Sequence, residues 1–215
     1  MRGVATTCAI LFMITAVSKA PLADVFGAFF IGPGATTLIA RFVLREEVRR
    51  REWIALALGL VGVVLVARPG FEMSEGLVWA LAGGVSYGAF QAATRWTAGS
   101  APPLAQNFAQ MAVGAVILAP FGAPDLLAHG VEAGGWVIAM ALSSLTANLL
   151  TILAYRHARA GVLASIIYLQ ILSATGLGWV AFGDLPDLVG AIGLAVICSS
   201  ALVLIRRRGA LPRRR

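Results

Sequence analysis

Eight apolar runs, each close to the ~20 residues that a helix needs to cross a hydrocarbon core, follow one another along this chain of 215 residues. Cutting wherever charge, proline or glycine clusters interrupt such runs predicts spans at 4–20, 22–44, 53–68, 76–97, 103–121, 134–155, 161–182 and 187–205. The remaining segments are short loops with no room for a soluble catalytic module. Charged residues make up 13% of the chain, about half the ~25% that keeps a soluble domain in water. Much of the exterior must therefore face lipid. The fold class expected is an all-α integral membrane protein with about eight transmembrane helices.

The basic residues report orientation. Arg2, Arg41, Arg45, Arg49, Arg50, Arg51, Arg95, Arg156, Arg159, Arg206, Arg207, Arg208, Arg213, Arg214 and Arg215 fall on one side of these spans, and Lys19 and Arg68 on the other. Positive charge collects on the cytoplasmic side of membrane proteins, so both termini are expected there, with residues 207–215 as a basic tail. The net charge of +7 sits in short runs between apolar stretches, which is the pattern of loops beside an anionic leaflet and not of a nucleic-acid-binding face. Arg41 and Arg95, at span ends, are expected to snorkel to the interface. The opening run through Ser18-Lys19-Ala20 is read as the first span and not as a cleaved signal, because one Arg charges its start and Pro21 would follow the cut.

Small residues let membrane helices approach closely. Ala80, Gly84, Gly88 and Ala92 line one face of the fourth span, and Gly59 with Gly62 act similarly in the third. Pro33, between Gly32 and Gly34, is predicted to kink the second span by removing a backbone hydrogen bond. The chain also repeats itself weakly at an offset of 138 residues: Ala16 falls on Ala154, Ala20 on Ala158, Thr37 on Thr175 and Glu46 on Asp184. Each copy runs as a span, a tight turn, a long span ending in an acidic hinge (Leu44-Arg45-Glu46-Glu47 or Phe182-Gly183-Asp184) and a Gly-rich final span. Paired repeats of this kind are common in secondary transporters.

The stretch Ala20-Pro21-Leu22-Ala23-Asp24, Pro33, the first hinge, and Trp53 through Leu65-Val66-Ala67-Arg68-Pro69-Gly70 resemble the EamA-type transporters of the drug/metabolite transporter superfamily. The part from Trp79-Ala80-Leu81 through Gly183-Asp184 to the Gly190-Ala191 span is similar to that family's second half. The resemblance implies ten helices in two inverted five-helix halves around a central cavity, in the inner membrane. Eight spans match from the third helix onward. Residues 1–70 then form a partial first repeat of three helices, and 76–206 a second repeat of five. Implied in turn is a secondary carrier of a small metabolite, such as an amino acid or a related amphipathic compound, working by alternating access, with export the favoured direction. The alternative is a truncated relative that folds or dimerises without transporting. A misplaced start, a decayed gene and an assembly that replaces the two absent helices all remain open. The partners expected are a small-molecule substrate and the lipid bilayer, with a homodimer open and no nucleic acid.

No carboxylate lies in the middle of a predicted span, so proton coupling through a midplane acid has no candidate. Neutral polar residues are the better leads. Ser144, Asn148, Thr151 and Tyr155 share one face of the sixth span by spacing, and Ser165, Tyr168, Thr175 and Trp179 one face of the seventh. Such stripes should point inward, because hydrogen-bonding groups facing lipid are costly. Interhelical hydrogen bonding and the lining of a polar-substrate path both explain them. Gln91, Asn107 and Gln110 are further candidates. Cys8 and Cys198 sit singly in apolar stretches, so no metal cluster is expected. His129 and His157 have no partnered acid and nucleophile, and no Gly-Lys-Ser/Thr phosphate loop occurs. No enzyme activity and no cofactor are expected.

Overall fold

A computed structural model describes residues 1–67, 74–182 and 188–205; within its helices the surroundings of Leu22, Ala23, Ala67, 123–133, Ala174, Gly178, Trp179, Ala181, Phe182, Ala201, Leu204 and Ile205 are outside the description. Arg68, Gly183, Asp184 and the tail 207–215, all used above, also lie outside it. Among the described residues every regular element is an α-helix. The protein is an all-α membrane protein. Four helices follow the first, third, fourth and eighth predicted spans: α1 (Arg2–Val17), α4 (Arg50–Ala67), α5 (Glu75–Trp96) and α9 (Leu188–Ile205).

The second span is broken into α2 (Leu22–Phe29) and α3 (Gly32–Phe42), with Pro33 in the first turn of α3. There its missing N–H would be unpaired in any case and its fixed φ suits a helix start. Thr36 and Thr37 are fully buried just beyond the break, and their hydroxyls donate to the Gly32 and Pro33 carbonyls at 3.1 and 2.9 Å. The seventh span is broken as well, into α7 (Ala160–Ile167) and α8 (Gln170–Phe182), a break for which the local sequence supplies no proline. Here the backbone tightens to three-residue hydrogen bonds, Leu169 to Ile166 at 2.9 Å and Leu172 to Leu169 at 3.0 Å.

The fifth and sixth spans join in one helical element, α6 (Pro103–His157), where a loop over 122–133 was expected. Yet the Asn107 side-chain amide donates to the Leu145 carbonyl at 3.0 Å. Thirty-eight residues of straight helix would hold these groups about 57 Å apart. The chain therefore doubles back between them, and α6 comprises an outgoing arm (Pro103–Gly122) and a returning arm (Gly134–His157), each apolar and long enough to cross a membrane.

α1 packs along α5, α4 along α9, and α2 and α3 against α5. The small-residue face of α5 makes the last contact possible. A Cβ at Gly84 would lie 2.5 Å from the Phe29 carbonyl oxygen, and one at Gly88 2.6 Å from that of Gly32. Two helices meet backbone to backbone where α4 crosses α9: Gly62 and Gly193 each face the other's carbonyl, at 2.8 and 2.9 Å from where a Cβ would stand. The element bounds repeat at the offset seen in the sequence. A shift of 138 carries Leu22–Phe29 onto Ala160–Ile167, the start of α3 onto that of α8, and Arg50–Ala67 onto Leu188–Ile205. The counterparts Phe30 and Tyr168, one at each break, touch: their rings lie 6.0 Å apart and the Tyr168 hydroxyl donates to the Phe30 carbonyl at 3.3 Å.

Candidate transport site

Polar side chains converge where α1 and α6 begin and where α5 and the returning arm of α6 end. Gln110 joins three helices: its amide oxygen accepts from an Arg2 Nη at 2.8 Å, and its Nε2 donates to the Asn148 amide oxygen at 3.4 Å. One turn earlier lies Asn107, 1% exposed, whose Nδ2 is the group bound to Leu145. Tyr155, also 1% exposed, donates its hydroxyl to the Gln91 amide oxygen. That leaves the Gln91 Nε2 and the Asn107 Oδ1 buried with no hydrogen-bond partner among the described residues. A buried polar atom left unpaired costs about 1–3 kcal/mol. The donor lies on α5 and the acceptor on the outgoing arm of α6.

Ion pairs fasten this end of the bundle. Just past the end of α3, Arg45 takes a left-handed conformation (φ 55°) and turns the Glu46 N–H onto the Ala40 carbonyl at 2.9 Å. The turn aims the Glu46 carboxylate two ways: one oxygen accepts from Arg95 Nε at 2.5 Å, and the other from the Ala160 N–H, at the start of α7, at 3.1 Å. A carboxylate at a helix N-terminus answers the unpaired N–H groups and the helix dipole together. Arg95 also donates to the Tyr155 carbonyl at 2.8 Å, and so it pairs inside the bundle where snorkelling was expected. Glu52, 3% exposed, accepts from Arg159, and its second oxygen takes the Arg49 N–H at 3.3 Å. At the far end Lys19 and Glu75, both exposed, pair at 2.7 Å.

The predicted residues are brought together unevenly. Asn148, Tyr155, Gln91, Asn107 and Gln110 enter the network just described. Tyr168 lies instead at the helix breaks, 1% exposed and packed over Gly59. Thr151 and Thr175 return their hydroxyls to their own helices, onto the Ala147 and Ile171 carbonyls at 2.8 and 2.9 Å. Ser165 does the same and is fully buried, whereas Ser144 is exposed, so the stripe on the sixth span turns inward only toward Tyr155. Trp179 lies outside the described side chains. Sequence reasoning missed Arg2, Thr94, Gln106, Glu46, Glu52 and Arg159. Of these Glu46 stood in the acidic hinge without a role, and Glu52 carried a local signal, an acid three residues after Arg49 at a helix start.

A model of the EamA-like transporter family matches residues 74–206, more than half of the chain. The chain belongs to this family. It is 23% identical over 219 residues to a protein of Pseudomonas aeruginosa strain UCBPP-PA14 named pseudopaline exporter CntI, covering 97% of this chain and 74% of that one. An uncharacterized transporter of Helicobacter pylori strain 26695 is 25% identical over 212 residues, covering 94% of this chain and 71% of its own. A crystal structure superposes with a TM-score of 0.72 at 22% identity, covering 94% of this chain and 75% of that one, which shows the fold. As an EamA-like transporter the protein is a multi-pass membrane protein that handles a small molecule, and its polar interior is read accordingly.

Proposed function

We propose that this EamA-like transporter is a secondary carrier that exports a small amphipathic metabolite, such as an amino acid or a related compound, by alternating access between residues 1–70 and 76–206. The observation that carries this reading is the meeting of two broken helices at Phe30 and Tyr168, residues 138 apart. A broken helix inside a membrane is tolerated where its backbone is buried in protein or lines a cavity, and paired breaks at corresponding positions mark transporters built from inverted repeats. Asn148, Tyr155, Gln91 and Asn107 would hold the substrate's polar groups on the cytoplasmic side. The exporter named among the relatives supports the direction.

Efflux from proteoliposomes loaded with candidate metabolites tests the reading. Tyr155→Phe and Asn148→Ala should lower efflux per folded molecule at least tenfold, since a site built to hydrogen-bond its substrate discriminates strongly when a partner is removed. Full efflux in both would take these residues out of the path. Loss of folded protein with unchanged efflux per molecule would make them interhelical fasteners, worth on the order of 0.6 kcal/mol each.

Placement in the inner membrane with both termini in the cytoplasm rests on the charge asymmetry. A reporter fused after Arg215 should be active only if it works in the cytoplasm, and one inserted near His129 only if it works outside. The reverse pattern would overturn the orientation. The homodimer reading draws on the returning arm of α6, whose residues 135–147 are all exposed. Its counterpart at the 138 offset, α1, is covered by α5. A detergent-solubilised particle of monomeric mass would remove that reading.

A further inference from the structure

Two arginines of the described bundle are each held by a carboxylate, Arg95 by Glu46 and Arg159 by Glu52. Arg2, only 8% exposed, has none among the described residues. Its Nε donates to the Thr94 hydroxyl at 3.1 Å, one Nη to the Gln106 amide oxygen at 3.0 Å and the other to that of Gln110 at 2.8 Å. The guanidinium also lies over the Phe90 ring, 5.8 Å from its centroid. Every one of these partners is neutral. Dipoles and a ring face offset part of the cost of burying a cation, and an opposite charge is what offsets the rest.

The acceptors are held in place from behind. Gln106 spends its Nε2 on the Thr97 and Ala101 carbonyls, both at 3.0 Å, and Gln110 spends its own on Asn148. Each amide oxygen is thereby fixed toward Arg2. A guanidinium has five N–H donors, and three are engaged, one on each nitrogen. One N–H therefore remains on each terminal nitrogen, and a charge-assisted hydrogen bond to a carboxylate or phosphate is the strong kind. Arg2 also lines a cavity of about 370 Å³ whose walls include Ala93, Trp96, Ala109 and Val113, with Thr97 and Ser100. That volume falls within the range of small-ligand pockets.

We propose that this cavity is a binding site for the anionic head of a small amphiphile, a carboxylate or phosphate group pairing with Arg2 while an apolar body lies along Ala93, Trp96 and Val113. Gln110 links this cavity to Asn148, whereas Gln91 and Tyr155 do not line it, and the proposal does not depend on transport. A free anion and the headgroup of an anionic lipid share this chemistry.

The test uses the full chain, purified in a non-ionic detergent, and follows tryptophan emission and melting temperature. Trp96→Phe identifies the part of the signal that arises at the cavity. The probes are inorganic phosphate, dihexanoyl phosphatidylglycerol and, as a zwitterionic control, dihexanoyl phosphatidylcholine. A saturable change is expected with phosphatidylglycerol, weakened at least tenfold in Arg2→Gln. Ala93→Leu, which narrows the cavity and leaves the partners of Arg2 in place, should weaken it as well and decides the matter if Arg2→Gln fails to fold. A matching response to phosphate assigns the site to free anions, and a response to phosphatidylglycerol alone assigns it to lipid. No saturable response in the wild type, an equal response to phosphatidylcholine, or an unchanged response in the folded variants overturns the proposal.

Discussion

Gly88→Leu is expected to remove most of the folded protein from membranes, with yield on a size-exclusion profile at least tenfold below wild type. Even the first carbon of a new side chain would stand 2.6 Å from the Gly32 carbonyl oxygen, 2.7 Å from the Ala35 Cβ and 3.0 Å from the Thr36 nitrogen. Two of these atoms are backbone and cannot turn aside, so α3 would have to part from α5. Parting would break the bond from the Thr36 hydroxyl to the Gly88 carbonyl at 3.3 Å and uncover the proline-made break. Overpacking a close-packed interior typically costs about 1–3 kcal/mol, and a rigid neighbour puts this site at the upper end or beyond. Gly34→Ala is the matched control. An added Cβ there meets nothing within 4 Å, so yield should equal or exceed that of the wild type. A normal melting temperature for Gly88→Leu would mean that this face of α5 does not hold α3.

The spans were legible because a membrane reduces their recognition to length and hydropathy. The first break was legible for a chemical reason, since Pro33 lacks an N–H. The second has no such mark. Tyr168 and Leu169 are ordinary helix residues, and what stands at that break is tertiary: the Tyr168 ring packed on Phe30 and on the bare backbone of Gly59. The 138 offset places Tyr168 opposite Phe30, where the first copy breaks, but nothing in the sequence marked either residue as a break. The turn within α6 illustrates the opposite limit. The interruption between the spans 103–121 and 134–155 suggested a loop, and the backbone there is helical while α6 still reverses direction.

For the site, spacing gave the face of a helix but not how far along that face stays covered. Ser144 and Tyr155 lie on one stripe of the returning arm, yet the first is exposed and the second buried, because the arm meets α5 only near its end. Amides such as Gln91 and Asn107 were visible as polar residues in apolar runs. Their significance, one unpaired atom each, depends on neighbours 64 and 38 positions away. Arg2 and its three acceptors, 92 to 108 positions distant, were beyond any local pattern. Arg95 was misjudged for the same reason. Its carboxylate partner lies 49 positions earlier, and only the left-handed turn at Arg45 delivers it.

That dependence on distant partners gives the second large expected effect, at Arg159. Its guanidinium donates to the Glu52 carboxylate and to the Glu47 carbonyl, the latter at 2.6 Å, tying the start of α7 to the start of α4. Glu52 is 3% exposed, and a Cβ on Gly161 would lie 2.6 Å from its Oε2, so the carboxylate rests against bare backbone with no room to swing toward water. Arg159→Ala would leave that charge buried with one N–H, that of Arg49, to answer it. Removing one partner of a buried pair costs about 3–5 kcal/mol. Because Arg159 is itself 32% exposed, solvent screens the pair in part, and the lower end, about 3 kcal/mol, is expected. Melting of the purified variant should drop well below wild type. Arg159→Met combined with Glu52→Leu should recover most of the loss, since an apolar pair carries no stranded charge. If Arg159→Ala melts with the wild type, the pair is a solvated surface contact. If the single loss appears and the double variant recovers nothing, the hydrogen bond to Glu47 is what ties α7 to α4.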